Sequence, residues 1–205
     1  QRAGDTDNKS SVRFNETSLG NLITDGMLAK AKTLNKDTVI ALQNGGGIRT
    51  SIDAGDITVG EVIKVMPFGN ALAIMELKGS EIKAALEHSV ALAPKENGAF
   101  LHVAGMKFEY DSSKEAGKRV TKVEVKVGTD FVALEDAKNY FVATNVFTAK
   151  GGDGYSMFET AYADGRVSEP GFMDYEVFIE HIKSLDKVDP KVEGRIVDVA
   201  APVAK

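Results

Sequence analysis

Two glycine-rich loops carry the side chains best suited to holding a small ligand. The first is Asn44-Gly45-Gly46-Gly47-Ile48-Arg49, directly after a short apolar run. Its glycines permit positive φ and let a ligand approach the backbone. Arg49 can meet an anion with a planar, bidentate fork. The spacing fits neither a Walker A loop, which ends in Lys-Ser/Thr, nor a GxGxxG loop. A tight strand-to-helix turn with a solvent-facing Arg would read the same way. The second loop is Lys150-Gly151-Gly152-Asp153-Gly154-Tyr155. A carboxylate between glycines can accept two hydrogen bonds from a sugar diol. Asp-Gly is also a frequent turn pair, so this loop alone reads first as a turn.

Two phenylalanines flank such loops. Phe68 sits between Pro67 and Gly69, and Phe147 lies six residues before Asp153. Two facing rings could sandwich a nucleobase, at about 1–3 kcal/mol of stacking per base. A lone Phe is more often a core residue, since most are buried. Arg13 precedes the first helical pattern. An arginine near a helix N-terminus opposes the dipole unless an anion binds there. A solvated arginine is the plainer reading.

Other chemistries lack their residues. The three histidines, His88, His102 and His181, are widely spaced and form no HxH, DxH or HExxH pattern. They read as structural or surface groups, and no metal set or catalytic set emerges from them. There is no cysteine, which excludes disulfides, thiolate metal sites and cysteine nucleophiles. No GxSxG elbow is present.

These groups must be placed by the elements around them. Thr17 or Ser18 can cap a helix that carries Leu19, Leu22, Ile23 and Met27 on one face. Strands are predicted over 38–43, 71–77, 100–110, 120–127, 140–144 and 194–199. Further helices are predicted over 61–66, from a Ser80 cap through Val90, and along Tyr175, Phe178, Ile179, Ile182 and Leu185. Strands and helices mix without a strict βαβ rhythm. The expected fold is α+β, a single domain with a mixed β-sheet and packed helices. Residues 1–11 read as a flexible lead-in, 12–199 as the domain and 200–205 as a tail.

The chain has 205 residues, 25 Lys+Arg and 30 Asp+Glu, for a net charge of −5. That length suits one large domain or two small ones. Its 43% hydrophobic and 27% charged content are those of an ordinary globular domain. The acidic balance argues against a general nucleic-acid binder. No apolar run approaches the ~18 residues of a membrane span. The chain opens Gln1-Arg2-Ala3 and reads as a mature or trimmed fragment.

The motifs taken together resemble the C-terminal domain of the 5′-nucleotidase family. They are VRFNETSLGNLITD at 12–25, NGGGIRTSIDAGDIT at 44–58, VMPFGN at 65–70, LKGSEIKAALEHSV at 77–90, NVFTAKGGDGY at 145–155 and VEGRI at 192–196. The resemblance implies that Phe68 and Phe147 stack on the two faces of a base. It implies that Asp153 binds the ribose hydroxyls and that Arg13 and Arg49 hold phosphate. Asn44 would lie by the phosphate or base edge, and Asn70 by the base edge. Gly45, Gly46, Gly47, Gly151, Gly152 and Gly154 would form the loops around them. Some members place a second Arg four residues before the Arg13 position. Here Lys9 stands there, and Arg2 is the nearest upstream arginine.

The resemblance further implies a division of labour. This chain would bind a nucleotide or nucleoside. An N-terminal metallophosphoesterase domain of the same parent, with two divalent metals such as Zn, Mn or Co, would hydrolyse nucleoside 5′-monophosphates. The chain alone would need no cofactor and would be inactive. Parents acting on 2′,3′-cyclic nucleotides or UDP-sugars, and a non-catalytic binding module, are the alternatives. The implied setting is secreted, periplasmic or cell-surface.

Overall fold

The computed structural model describes residues 11–200. The predicted lead-in lies outside the described residues except for Ser11, which is buried, and the predicted tail lies outside them except for Ala200. In chain order the elements are α1 (Ser18–Leu34), β1 (Thr38–Asn44), α2 (Val59–Val65), β2 (Leu72–Lys78), α3 (Gly79–Ser89), β3 (Leu101–Ala104), β4 (Met106–Tyr110) and β5 (Val120–Val127). There follow β6 (Asp130–Ala133), β7 (Asn139–Asn145), α4 (Val146–Ala149), α5 (Ser156–Ala163), β8 (Val167–Ser168), α6 (Asp174–Leu185) and β9 (Ile196–Asp198).

The helices start where their caps dictate. Thr17 Oγ1 accepts from Gly20 N at 3.0 Å and opens α1. Thr58 and Glu61 form a reciprocal capping box on α2, which therefore begins before the predicted Glu61. Helix α3 begins at Gly79 rather than after a Ser80 cap. Glu81 reaches back to Lys78 N at 2.8 Å and holds the chain entry one residue earlier.

Among the described residues the strands form two mixed sheets. One runs β3-β1-β7-β2-β8 and the other β6-β5-β4-β9. In the first, β1 and β7 are parallel and the other pairs antiparallel. Its central strands are covered on both faces. Ala73, Met75 and Leu77 of β2 enter one core cluster with α3, α5 and the second sheet. Leu72 and Ile74 enter the other with α1, α2 and α6. Such strands read as near-continuous apolar runs, which is the look of TVIALQ and LAIMEL.

The predicted strand over 100–110 is two strands. Gly105 breaks it at φ +70°, where a Cβ would stand 1.9 Å from Val39 O. Only glycine fits there, and the chain leaves one sheet for the other. Helices α4 and α5 and strands β6 and β8 have no counterpart among the predicted elements.

Candidate functional site

The topology collects the candidate residues at one edge of the first sheet. Strands β1 and β7 run parallel and side by side, so their C-terminal ends, Asn44 and Asn145, lie on the same edge. Each is followed by one of the glycine loops. Strand β2 is antiparallel to β7 and pairs Leu72 with Asn145, which brings the Phe68–Asn70 turn to that edge. Strand β3 pairs Leu101 with Asn44 and brings the loop before it. The crevice beyond the C-terminal ends of parallel strands is where open α/β sheets bind ligands.

The first loop is packed against its neighbours by backbone. Gly45 N donates to Phe100 O at 2.7 Å and Gly46 N to Gly98 O at 2.8 Å. A Cβ on Gly45 would meet Val12 O at 2.1 Å, so the Arg13 turn touches this loop directly. Arg13 O accepts from Asn97 N at 2.9 Å, and Ser11 Oγ accepts from Arg13 N at 3.2 Å. Arg49 N donates to Val65 O at 2.8 Å, while its exposed guanidinium lies 5.8 Å from the Phe68 ring centroid and 3.3 Å from Gly46 O.

Asp153 has φ 56°, a left-handed conformation uncommon for a residue with a side chain. Gly151 and Gly154 on either side also have positive φ. Strain of this kind persists only where neighbours impose it. Here Asn44 Nδ2 donates to Asp153 Oδ2 at 2.7 Å, and His88 Nε2 lies 2.8 Å from Asp153 O. Asn44 is itself buried. Its Oδ1 accepts from Gln43 Nε2 at 3.1 Å and from Asn145 Nδ2 at 3.0 Å. Asn145 Oδ1 in turn accepts from Thr148 N and Thr148 Oγ1, at 2.9 and 3.0 Å. A fully paired buried polar network is rigid. It holds one carboxylate oxygen of the exposed Asp153, and Asn44 meets this carboxylate rather than open solvent.

The phenylalanines contradict the core reading. Phe68 is 61% exposed and Phe147 44% exposed, against 0–2% for Phe100, Phe108, Phe158 and Phe178. A Cβ on Gly152 would lie 2.6 Å from the Phe147 ring, so the ring rests on the Asp153 loop. Solvent-exposed rings beside a polar loop cost hydrophobic free energy that a ligand would recover.

Asn70 is tied to α6. Its N–H donates to Asp174 Oδ2 at 3.3 Å, and Asp174 N donates to Asn70 O at 2.8 Å. Burial pushes the Asp174 carboxyl up to about 6, opposed by amide donors from Tyr175 and Asn70. Sequence reasoning missed Asp174, Gln43, Asn145 and Thr148. Polar residues closing two apolar strands were the available signal for Gln43 and Asn145.

The three histidines do not group: His88 supports Asp153. His102 is fully buried with Nε2 2.9 Å from Val12 O, and His181 sits on α6 beside Gly26. Among the described residues no three His, Asp or Glu are grouped to hold a metal ion. Nor is any helix of these residues long and apolar enough to cross a membrane. A cavity of about 760 Å³, lined by Lys32, Lys36, Lys126 and Arg195, includes Thr38 at the opposite end of β1 and none of the candidate residues.

Known proteins share this arrangement of chain. Residues 2–160 match the family model described as 5′-nucleotidase, C-terminal domain. The chain is 48% identical over 193 residues to the trifunctional nucleotide phosphoesterase protein YfkN of Bacillus subtilis, covering 93% of this chain and 13% of that protein. It is 38% identical over 198 residues to snake venom 5′-nucleotidase of Macrovipera lebetinus, covering 90% and 48%. A 5′-nucleotidase precursor from Thermus thermophilus superposes with a TM-score of 0.88 at 49% identity, over 93% of this chain and 37% of that one. The chain thus spans less than half the length of these relatives.

Proposed function

The chain belongs to the 5′-nucleotidase C-terminal domain family, and we propose that it is the substrate-binding domain of a nucleotidase, gripping base, ribose and phosphate of a nucleoside 5′-monophosphate. The observation that carries this is the pair of exposed phenylalanines on the edge that also holds Arg49, Arg13 and the strained Asp153. In this reading Phe68 and Phe147 stack on the base. Asp153 accepts from both ribose hydroxyls, a task that an exposed carboxylate held at one oxygen by Asn44 suits. Arg13 and Arg49 neutralise phosphate, and Asn70 meets the base edge.

The chemistry would belong to a metal-bearing phosphoesterase domain in the longer parent, which supplies a metal-activated nucleophile. This domain's contribution is orientation, holding the phosphate where it can be attacked. The same residues would serve 2′,3′-cyclic nucleotides or UDP-sugars. The relative named as a trifunctional nucleotide phosphoesterase favours a parent with more than one phosphoester substrate. The venom origin of several relatives supports a secreted or surface setting.

Calorimetry tests the grip. The wild-type chain should bind adenosine and AMP, and Phe68→Ala with Phe147→Ala should weaken both at least ~30-fold, from about 1 kcal/mol or more per ring. Unchanged affinity in the double variant would show the stacking assignment to be wrong.

A further inference from the structure

The buried carboxylate of Asp174 is not needed to join the two segments it lies between. The Phe68–Leu72 segment is already joined to the 172–174 segment by backbone. Leu72 N donates to Phe172 O at 2.7 Å, Asp174 N to Asn70 O at 2.8 Å, and Ala71 bridges Met173. An apolar residue at position 174 would keep all three. Asp174 is instead a carboxylate that is 4% exposed. Among the described residues its stabilising partners are amides, with no Lys, Arg or His. A buried carboxylate without a cation is costly, and burial pushes its ionisation up to about 6. Its place as the first residue of α6 offsets part of that cost through the helix dipole.

What the carboxylate adds is direction. Oδ1 accepts from Tyr175 N at 2.8 Å and Oδ2 from Asn70 N at 3.3 Å. The Asn70 side chain also stabilises the charge. The carboxylate therefore sets the Asn70 amide and the turn bearing Phe68. Gly69 follows Phe68 at φ +60°, with Tyr175 3.7 Å from where its Cβ would be, so α6 backs the turn from Gly69 to Asn70. We propose that Asp174 is a positioning residue for the base end of the site, acting through Asn70 and the Phe68–Asn70 turn. This rests on the nucleotide-grip reading above. It assigns base affinity, and not ribose or phosphate affinity, to a residue that touches no ligand.

The test uses two ligands and a double-mutant cycle on the full chain. Adenosine reports the base end, and ribose 5-phosphate reports the Asp153 and arginine end. Asp174→Asn replaces one acceptor oxygen with an NH₂ of nearly the same size. It should weaken adenosine roughly fivefold, the worth of a single hydrogen bond, and leave ribose 5-phosphate unchanged. Asn70→Ala should behave alike, and Asp174→Asn in the Asn70→Ala background should add less than in the wild type. Asp174→Ala should follow the same pattern, and circular dichroism checks that each variant folds. Equal loss of both ligands, or full additivity with Asn70→Ala, would overturn the proposal in favour of a merely structural role. Wild-type binding of adenosine with no effect of either variant would overturn it while leaving the grip intact. Failure of the wild type to bind adenosine would overturn both.

Discussion

Replacing His102 with glutamine should change how stability depends on pH. The imidazole is fully buried, with Nε2 2.9 Å from Val12 O and the first turn of α1 pressed against its other nitrogen at Gly20. Burial, above all, lowers its ionisation from 6.5 to about 4, and Arg195 adds to this, while the Val12 carbonyl and Glu16 oppose it. The unfolded chain therefore binds this proton more readily than the folded one between pH 6.5 and 4. The neutral ring's contribution is complete above pH 6.5 and is lost as pH falls toward 4. The fall from 6.5 to about 4, at about 1.36 kcal/mol per pH unit, corresponds to about 3 kcal/mol lost by pH 4. Asp174 works in the opposite sense. Its raised carboxyl favours the fold below 3.8, and that contribution is lost as pH rises through about 6. The two slopes partly cancel in the wild type, so the difference between wild type and variant is what isolates His102. His102→Gln keeps a donor for Val12 O and removes the titration. Urea unfolding followed by far-UV circular dichroism suits a chain without tryptophan. The gap between wild type and His102→Gln should shift by about 3 kcal/mol in the variant's favour from pH 7 to pH 4. Parallel pH profiles for the two would refute the reasoning.

Gly20→Ala should destabilise by about 1–3 kcal/mol in thermal unfolding, against the usual gain for alanine in a helix, because the added Cβ falls 2.0 Å from His102 Nδ1. Glu16→Ala should cost about 3 kcal/mol in urea unfolding. It strands Glu193 N and Ile196 N, now held at 2.7 and 3.2 Å, and removes the 2.6 Å bond from Asn21 Nδ2, which keeps Lys191 O. Asp153→Asn should leave the melting temperature nearly unchanged, since asparagine tolerates the φ of 56°. It should nevertheless lower adenosine affinity about tenfold by removing a charged acceptor, as calorimetry would read.

Much of this arrangement is legible in the order of residues alone. Apolar spacing locates α1, α3 and α6, and the glycine loops announce where the backbone turns and opens. The exposure of Phe68 and Phe147 is not legible from residue type, because a lone phenylalanine is usually core. Other features are hidden for physical reasons. The break at Gly105 is imposed by Val39, a contact distant in sequence. The network of Gln43, Asn44, Asn145 and Thr148 exists because β1 and β7 become parallel neighbours, a pairing no local pattern encodes. Asp174 looks like any acidic residue in a first helical turn. Its burial against Asn70, 104 residues away in sequence, gives it a different weight.

The central claim is that one sheet edge holds a nucleotide. Titration of the labelled chain with AMP, followed by amide NMR shifts, tests it most directly. The account predicts shifts concentrated at Arg13, Asn44–Arg49, Phe68–Asn70 and Phe147–Gly154. Shifts confined to Lys32, Lys36 and Lys126 at the far end of β1, or none at all at millimolar AMP, would contradict it.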